Sequence, residues 1–126
     1  MEMERWEAER HECEDTAAGG QGTVCRSPFE VAGWAVELGA TSGTGVDWVD
    51  VWAFPSSGGA IHLGAAGLGV SRPDVAAFFG DARYEPSGFH LWVTSLAAGS
   101  YELRVWAHST VTGAFSNLRR ISVVVP

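Results

Sequence analysis

Residues 46–54 read VDWVDVWAF. Val49, Val51 and Ala53 fall on one side of an extended chain, and Trp48, Asp50, Trp52 and Phe54 on the other. Period two marks a strand with one face in a core, because successive side chains of an extended backbone point to opposite faces. On a helix the same valines would be scattered around the circumference. The small aliphatic set is the natural inward one, which sends two indoles and a carboxylate outward.

Further along the chain, residues 100–109 (SYELRVWAHS) repeat the pattern, with Tyr101, Leu103, Val105 and Ala107 on one side and Glu102, Arg104, Trp106 and His108 on the other. Period-two stretches also predict strands at 29–38, 60–64, 88–96 and 118–125, with a short one at 23–27. Turn-forming residues separate them at 41–45 (TSGTG), 55–59 (PSSGG), 97–100 (AAGS) and 111–113 (VTG). Short strands at this spacing predict an all-β, immunoglobulin-like antiparallel β-sandwich of about seven strands. One stretch differs. At 72–79, Pro73 suits a first helical turn, Asp74 complements the helix dipole and Gly80 stops it, with Ser71 as the expected N-cap. A short helix crossing between the two sheets is expected there. GAAGLG at 64–69 lacks the glycine order of a dinucleotide loop and reads as a turn or bulge.

The 126 residues suit one domain, and 46% apolar residues are enough for one packed core. Of the net charge of −7, −5 lies in residues 1–16, where seven acidic residues face Arg5 and Arg10. The chain therefore divides into an acidic N-terminal arm and linker at 1–22, where a short helix over 2–15 would need a docking surface or fray, and a nearly neutral domain at 23–126. A neutral body has no footprint for a phosphate backbone, so no nucleic-acid partner is expected. No apolar run is long enough to cross a bilayer as a helix. The N-terminus is acidic and lacks the apolar segment of a signal peptide, so export by another route, a mature fragment or attachment to a larger assembly is expected. Cys13 and Cys25 either pair, pinning the arm to the domain and implying an oxidising compartment, or stay as two thiols.

VAGWAVE (31–37), SGTGVDWVDVWAFP (42–55), HLGAAGLGVSRPDVAAFFG (62–80) and SGFHLWVTSLAAGSYELRVWAHSTVTGAFS (87–116), with the closing apolar strand, resemble an Ig-like repeat of large bacterial surface and secreted proteins. The resemblance covers roughly 28–126. It implies an extracellular or cell-surface, non-catalytic module, often in tandem arrays or beside hydrolases, and no defined ligand. The N-terminal 27 residues are not part of the pattern.

If 46–54 and 100–109 are neighbours in one sheet, Trp48, Trp52 and Trp106 cluster on its outer surface beside Asp50, Glu102 and Arg104, with Asp50 expected to pair with Arg104. On the other sheet, Phe89, Leu91 and Val93 read as inward and His90 and Trp92 as outward. Trp34 joins the outward pair unless a bulge at Gly33 reverses it. Tyr101, at the start of its strand, fits a tyrosine corner. Contiguous exposed aromatics on a soluble domain call for an explanation. Three compete: cover by the arm or by the 65–86 excursion; burial against further copies or a neighbouring domain; and a platform on which sugar rings stack.

No nucleophile elbow, metal-binding histidine spacing or facing carboxylate pair is present, so no catalytic residue, metal or cofactor is expected. His62, His90 and His108 read as surface or sheet-edge residues, and Asp47 as the cap of a hairpin turn rather than a calcium ligand. The expected function is a structural or assembly module of a cell-surface, filament or virion complex. It would form homo-oligomers or decorate a larger body through Trp48, Asp50, Trp52, Arg104, Trp106, Trp92 and the arm's Trp6. The alternative is a carbohydrate-binding or adhesion module that engages polysaccharide through Trp48, Trp52 and Trp106.

Overall fold

The computed structural model describes residues 2–3, 7–8, 13–15, 23–94 and 96–126. Its strands in chain order are β1 (Glu2–Met3), β2 (Glu7–Ala8), β3 (Cys13–Asp15), β4 (Thr23–Cys25), β5 (Phe29–Val36), β6 (Val46–Pro55), β7 (Ile61–Ala65), β8 (Gly67–Val70), β9 (Gly88–Val93), β10 (Gly99–Ser109) and β11 (Phe115–Val125). A seven-residue helix, α1 (Pro73–Phe79), and a 3-10 segment, Ala82–Ser87, lie between β8 and β9. The protein is an all-β sandwich with one short α-helix. One sheet runs β1-β5-β9-β8, with β2 also on β5; the other runs β3-β4-β11-β10-β6-β7. Every pair is antiparallel except β4 with β11, which is parallel.

The core lies where alternation places it. Val49, Val51 and Ala53 of β6 and Leu103, Val105 and Ala107 of β10 are at most 1% exposed, and they meet Phe29, Val31, Phe89 and Val93 of the opposite sheet. Removing this apolar area from water, at roughly 25 cal/mol per Å², is the main force holding the sheets together. Tyr101 packs in the same core and its hydroxyl donates to the Ala97 carbonyl at 2.6 Å, so the ring's one polar atom is satisfied.

Several local expectations are corrected. The described pieces of 2–15 are strands, not helix. An isolated helix of that length is marginal in water, whereas β1 and β2 pair with β5 and β3 pairs with β4. A Cys13–Cys25 disulfide joins β3 to β4, with Cys25 fully buried. Arg72, not Ser71, is the N-cap of α1, and no side chain caps the helix. Helix α1 does not cross between the sheets. The crossing falls at Ala66, whose N–H donates to the Val49 carbonyl, with β7 in one sheet before it and β8 in the other after it. Of the turn or bulge expected at 64–69, the structure has extended chain with the bulge: Gly69 is the extra residue opposite β9, and a second register shift lies just before, at Leu63.

Helix α1 and the 3-10 segment instead cover the outer side of β5. Trp34 and Val36 point away from the main core and are buried by Val75 and Tyr84, with Phe79 packed against them. Trp34 meets Phe79 edge-on at 5.7 Å between ring centroids. Cover by the excursion thus explains Trp34 and leaves the outer face of the six-stranded sheet untouched.

Candidate functional site

The outer face of the six-stranded sheet is built by β6 and β10, paired over nine residues. Arg104 stands opposite Trp52, Trp106 opposite Asp50, and His108 opposite Trp48. At the end of this ladder the register slips, with His108 opposite Trp48 but Ser109 opposite Val46. Asp47 is the extra residue of a β-bulge, which lets it and Trp48 both be exposed. It does not cap the hairpin turn. His108 Nδ1 lies 2.6 Å from Asp47 Oδ1, while the bond from the Val46 N–H in the turn goes to Thr44 Oγ1.

Asp50 organises the middle of the face. Its Oδ2 accepts the Trp52 indole N–H at 3.0 Å, and its Oδ1 accepts the Trp48 indole N–H at 3.4 Å and lies 2.7 Å from His62 Nε2. His62 in turn lies against Trp52, 4.7 Å between ring centroids. Asp50 does not pair with Arg104. Arg104 lies one rung further, donates from Nε to Glu102 at 2.6 Å, and stacks its guanidinium 3.9 Å from the Phe54 ring centre. Because Asp50 and Arg104 are not opposite each other, the nearer partners on their own strands and on β7 take them.

The result is an aromatic surface knit by hydrogen bonds around Asp50. Trp52, Phe54 and Trp106 line a shallow depression of about 410 Å³ with Asp50, Ala60 and Phe115. Phe54 also forms one wall of a more polar cleft of about 430 Å³, shared with Ser56, Ser100, Glu102, Arg104 and Ser122. Trp48 is 50% exposed at one end of the face, and Phe115 is 49% exposed at its side. Around Glu102, Arg120 approaches to 3.8 Å, so this carboxylate lies between two guanidiniums that face each other across β10 and β11.

The structure therefore brings together Trp48, Asp50, Trp52, Arg104 and Trp106. Trp92 lies on the other sheet, 46% exposed and opposite Glu30, where His90 Nδ1 is 3.2 Å from Glu30 Oε2. Trp6 lies outside the described residues. Phe54, which alternation places outward, His62, read as a surface or sheet-edge residue, and Phe115 also belong to the surface, although none of the three is among the contact residues the sequence suggests. Alternation already puts Phe54 beside Trp52. No sequence signal points to Phe115, because register shifts intervene in β10 and its pairing.

Among the described residues, no three His, Cys, Asp or Glu side chains converge to hold a metal ion. No described helix is long and apolar enough to cross a membrane. Comparisons with protein-family models, with curated proteins and with solved structures find no match.

Proposed function

We propose that the protein is a non-catalytic, Ig-like contact module of an extracellular assembly, and that it engages another protein through the outer face of its six-stranded sheet. One observation carries this reading: the carboxylates of the aromatic surface are already engaged by neighbouring side chains. Asp50 is engaged by two indole N–H groups and His62, and Glu102 by Arg104. A surface whose side chains are already held in place loses little conformational freedom on contact. A partner can cover its tryptophans without stripping water from an unpaired carboxylate. Trp and Arg are also the residues that most often anchor interfaces. The disulfide between Cys13 and Cys25 is consistent with an oxidising compartment.

The cleft beside Phe54 favours a second reading. Three serines and Glu102 line it next to the half-buried Phe54 ring, a mixture that suits a carbohydrate. A glycan requires unspent hydrogen-bonding groups near its stacking platform, and the groups nearest the indoles are spent.

Tryptophan emission titrated with soluble polysaccharides, alongside sedimentation of the same protein, separates the two. The contact reading expects no saturable saccharide response, and any association of the protein to be abolished by Trp106→Glu. Saturable polysaccharide binding that Trp106→Glu removes would overturn it.

A further inference from the structure

We infer that the partner of this face is a second copy of the chain, packed face to face about a two-fold axis with the strands of the two copies antiparallel. The inference rests on the contact reading above and names its occupant.

The size of the surface supports a second copy. Strands of ten and eleven residues are about 33 Å long, and β11, β10, β6 and β7 side by side span about 19 Å. The flat footprint is roughly 600 Å² per copy before side-chain relief is added. That approaches the ~800 Å² per partner of a standard specific interface.

Charge decides the orientation. The half of the face toward the bulge carries Asp47 and Asp50, the first against His108 and the second against His62. The other half carries Arg104 and Arg120 around a single Glu102. Counting Asp, Glu and Arg alone, the first half is net negative and the second net positive. A two-fold axis along the strands would lay the negative halves on each other. An axis across the strands, at the level where Val51 faces Val105, lays each negative half on the partner's positive half.

Shape agrees with that orientation. An axis at Val51 puts position 48 over position 54 of the other copy. The exposed indole of Trp48 then stands at the mouth of the partner's cleft beside its Phe54, while Trp52 and Trp106 meet at the centre. The arrangement is isologous and closes at two copies, leaving the other sheet with Trp92 outside the contact.

Cross-linking tests the geometry. Along the line of β10 the same axis places Thr110, in the turn just after that strand, over Ser100 of the other copy. Thr110→Cys and Ser100→Cys proteins, mixed and treated with a short bis-maleimide, are expected to give a mixed cross-linked dimer that Trp106→Glu abolishes. The Thr110→Cys protein alone should give none. A Thr110–Thr110 cross-link, or an association that Trp106→Glu removes without any mixed cross-link, would overturn the antiparallel pair and leave the contact face standing. Association indifferent to Trp106→Glu would remove both. A monomer at ~100 µM would exclude the second copy as partner, and the polysaccharide titration then decides the fate of the face separately.

Discussion

Asp50 accepts the indole N–H of Trp52 from two residues along the same strand, at 3.0 Å, and so a carboxylate sits flush in an aromatic surface without an arginine. Both indoles on its strand and the imidazole on β7 converge on this one group. It is the residue through which the orientation of the surface is set.

Asp50→Asn keeps the shape but turns one acceptor into a donor facing an indole N–H. The expected cost is about 1–2 kcal/mol of stability, from a broken and mismatched hydrogen bond. Urea unfolding should show it, and the near-ultraviolet circular dichroism of the tryptophans should change. An unchanged spectrum would mean that Asp50 does not orient them.

Tryptophans on opposite sides of the molecule should respond differently to truncation. Trp34 is 8% exposed and packed under the helical excursion, so Trp34→Ala should cost about 3–5 kcal/mol. Trp48 is half exposed with one long hydrogen bond, and Trp48→Ala should stay within about 1 kcal/mol. Equal midpoint shifts in denaturant would contradict the burial described.

Reducing the Cys13–Cys25 bond opens a loop with a sequence separation of 12. In the chain-entropy picture such a bridge is worth about 3 kcal/mol, so unfolding with and without reductant should differ by that order. The joined strands β3 and β4 are at the edge of their sheet, so exchange of their amides should accelerate first on reduction.

Asp74 provides a local pH marker. The hydrogen bonds from Arg72, at 3.0 and 2.8 Å, hold its carboxyl below the ordinary carboxylate range. A carboxyl whose pKa is lower folded than unfolded adds stability above the unfolded value of about 3.9 and loses it as pH falls through the folded one. The pair is solvent-exposed, so its contribution is small. A carbon-detected NMR titration should show the lowered value, and Arg72→Ala should raise it. Identical titration in both proteins would refute the pairing.

Much of the fold was legible because alternation is a local property. Val49, Val51, Ala53, Leu103, Val105 and Ala107 identify the inner faces without any knowledge of what lies opposite. The aromatic face follows from the same count. Its wiring does not: alternation suggests that Asp50 meets Arg104, but which side chains meet across strands depends on register, and one extra residue, Asp47 in β6 or Leu63 in β7, shifts every partner beyond it. The pairing of the arm is hidden from the sequence for a related reason. Glu-rich spacing suits a helix in isolation, while the free edge of β5 offers the backbone a sheet partner that the arm's own residues do not announce.

That two layers of strands enclose small aliphatic side chains and turn indoles outward is readable from the residue order, because side-chain direction along an extended chain follows from position alone. That Trp34 is covered while Trp48 is open, that Asp50 binds indoles and His62, and that β4 runs parallel to β11 emerge only in the folded molecule. Those outcomes depend on which distant segments come to lie side by side, and that is decided by the burial and hydrogen bonding of the whole chain at once.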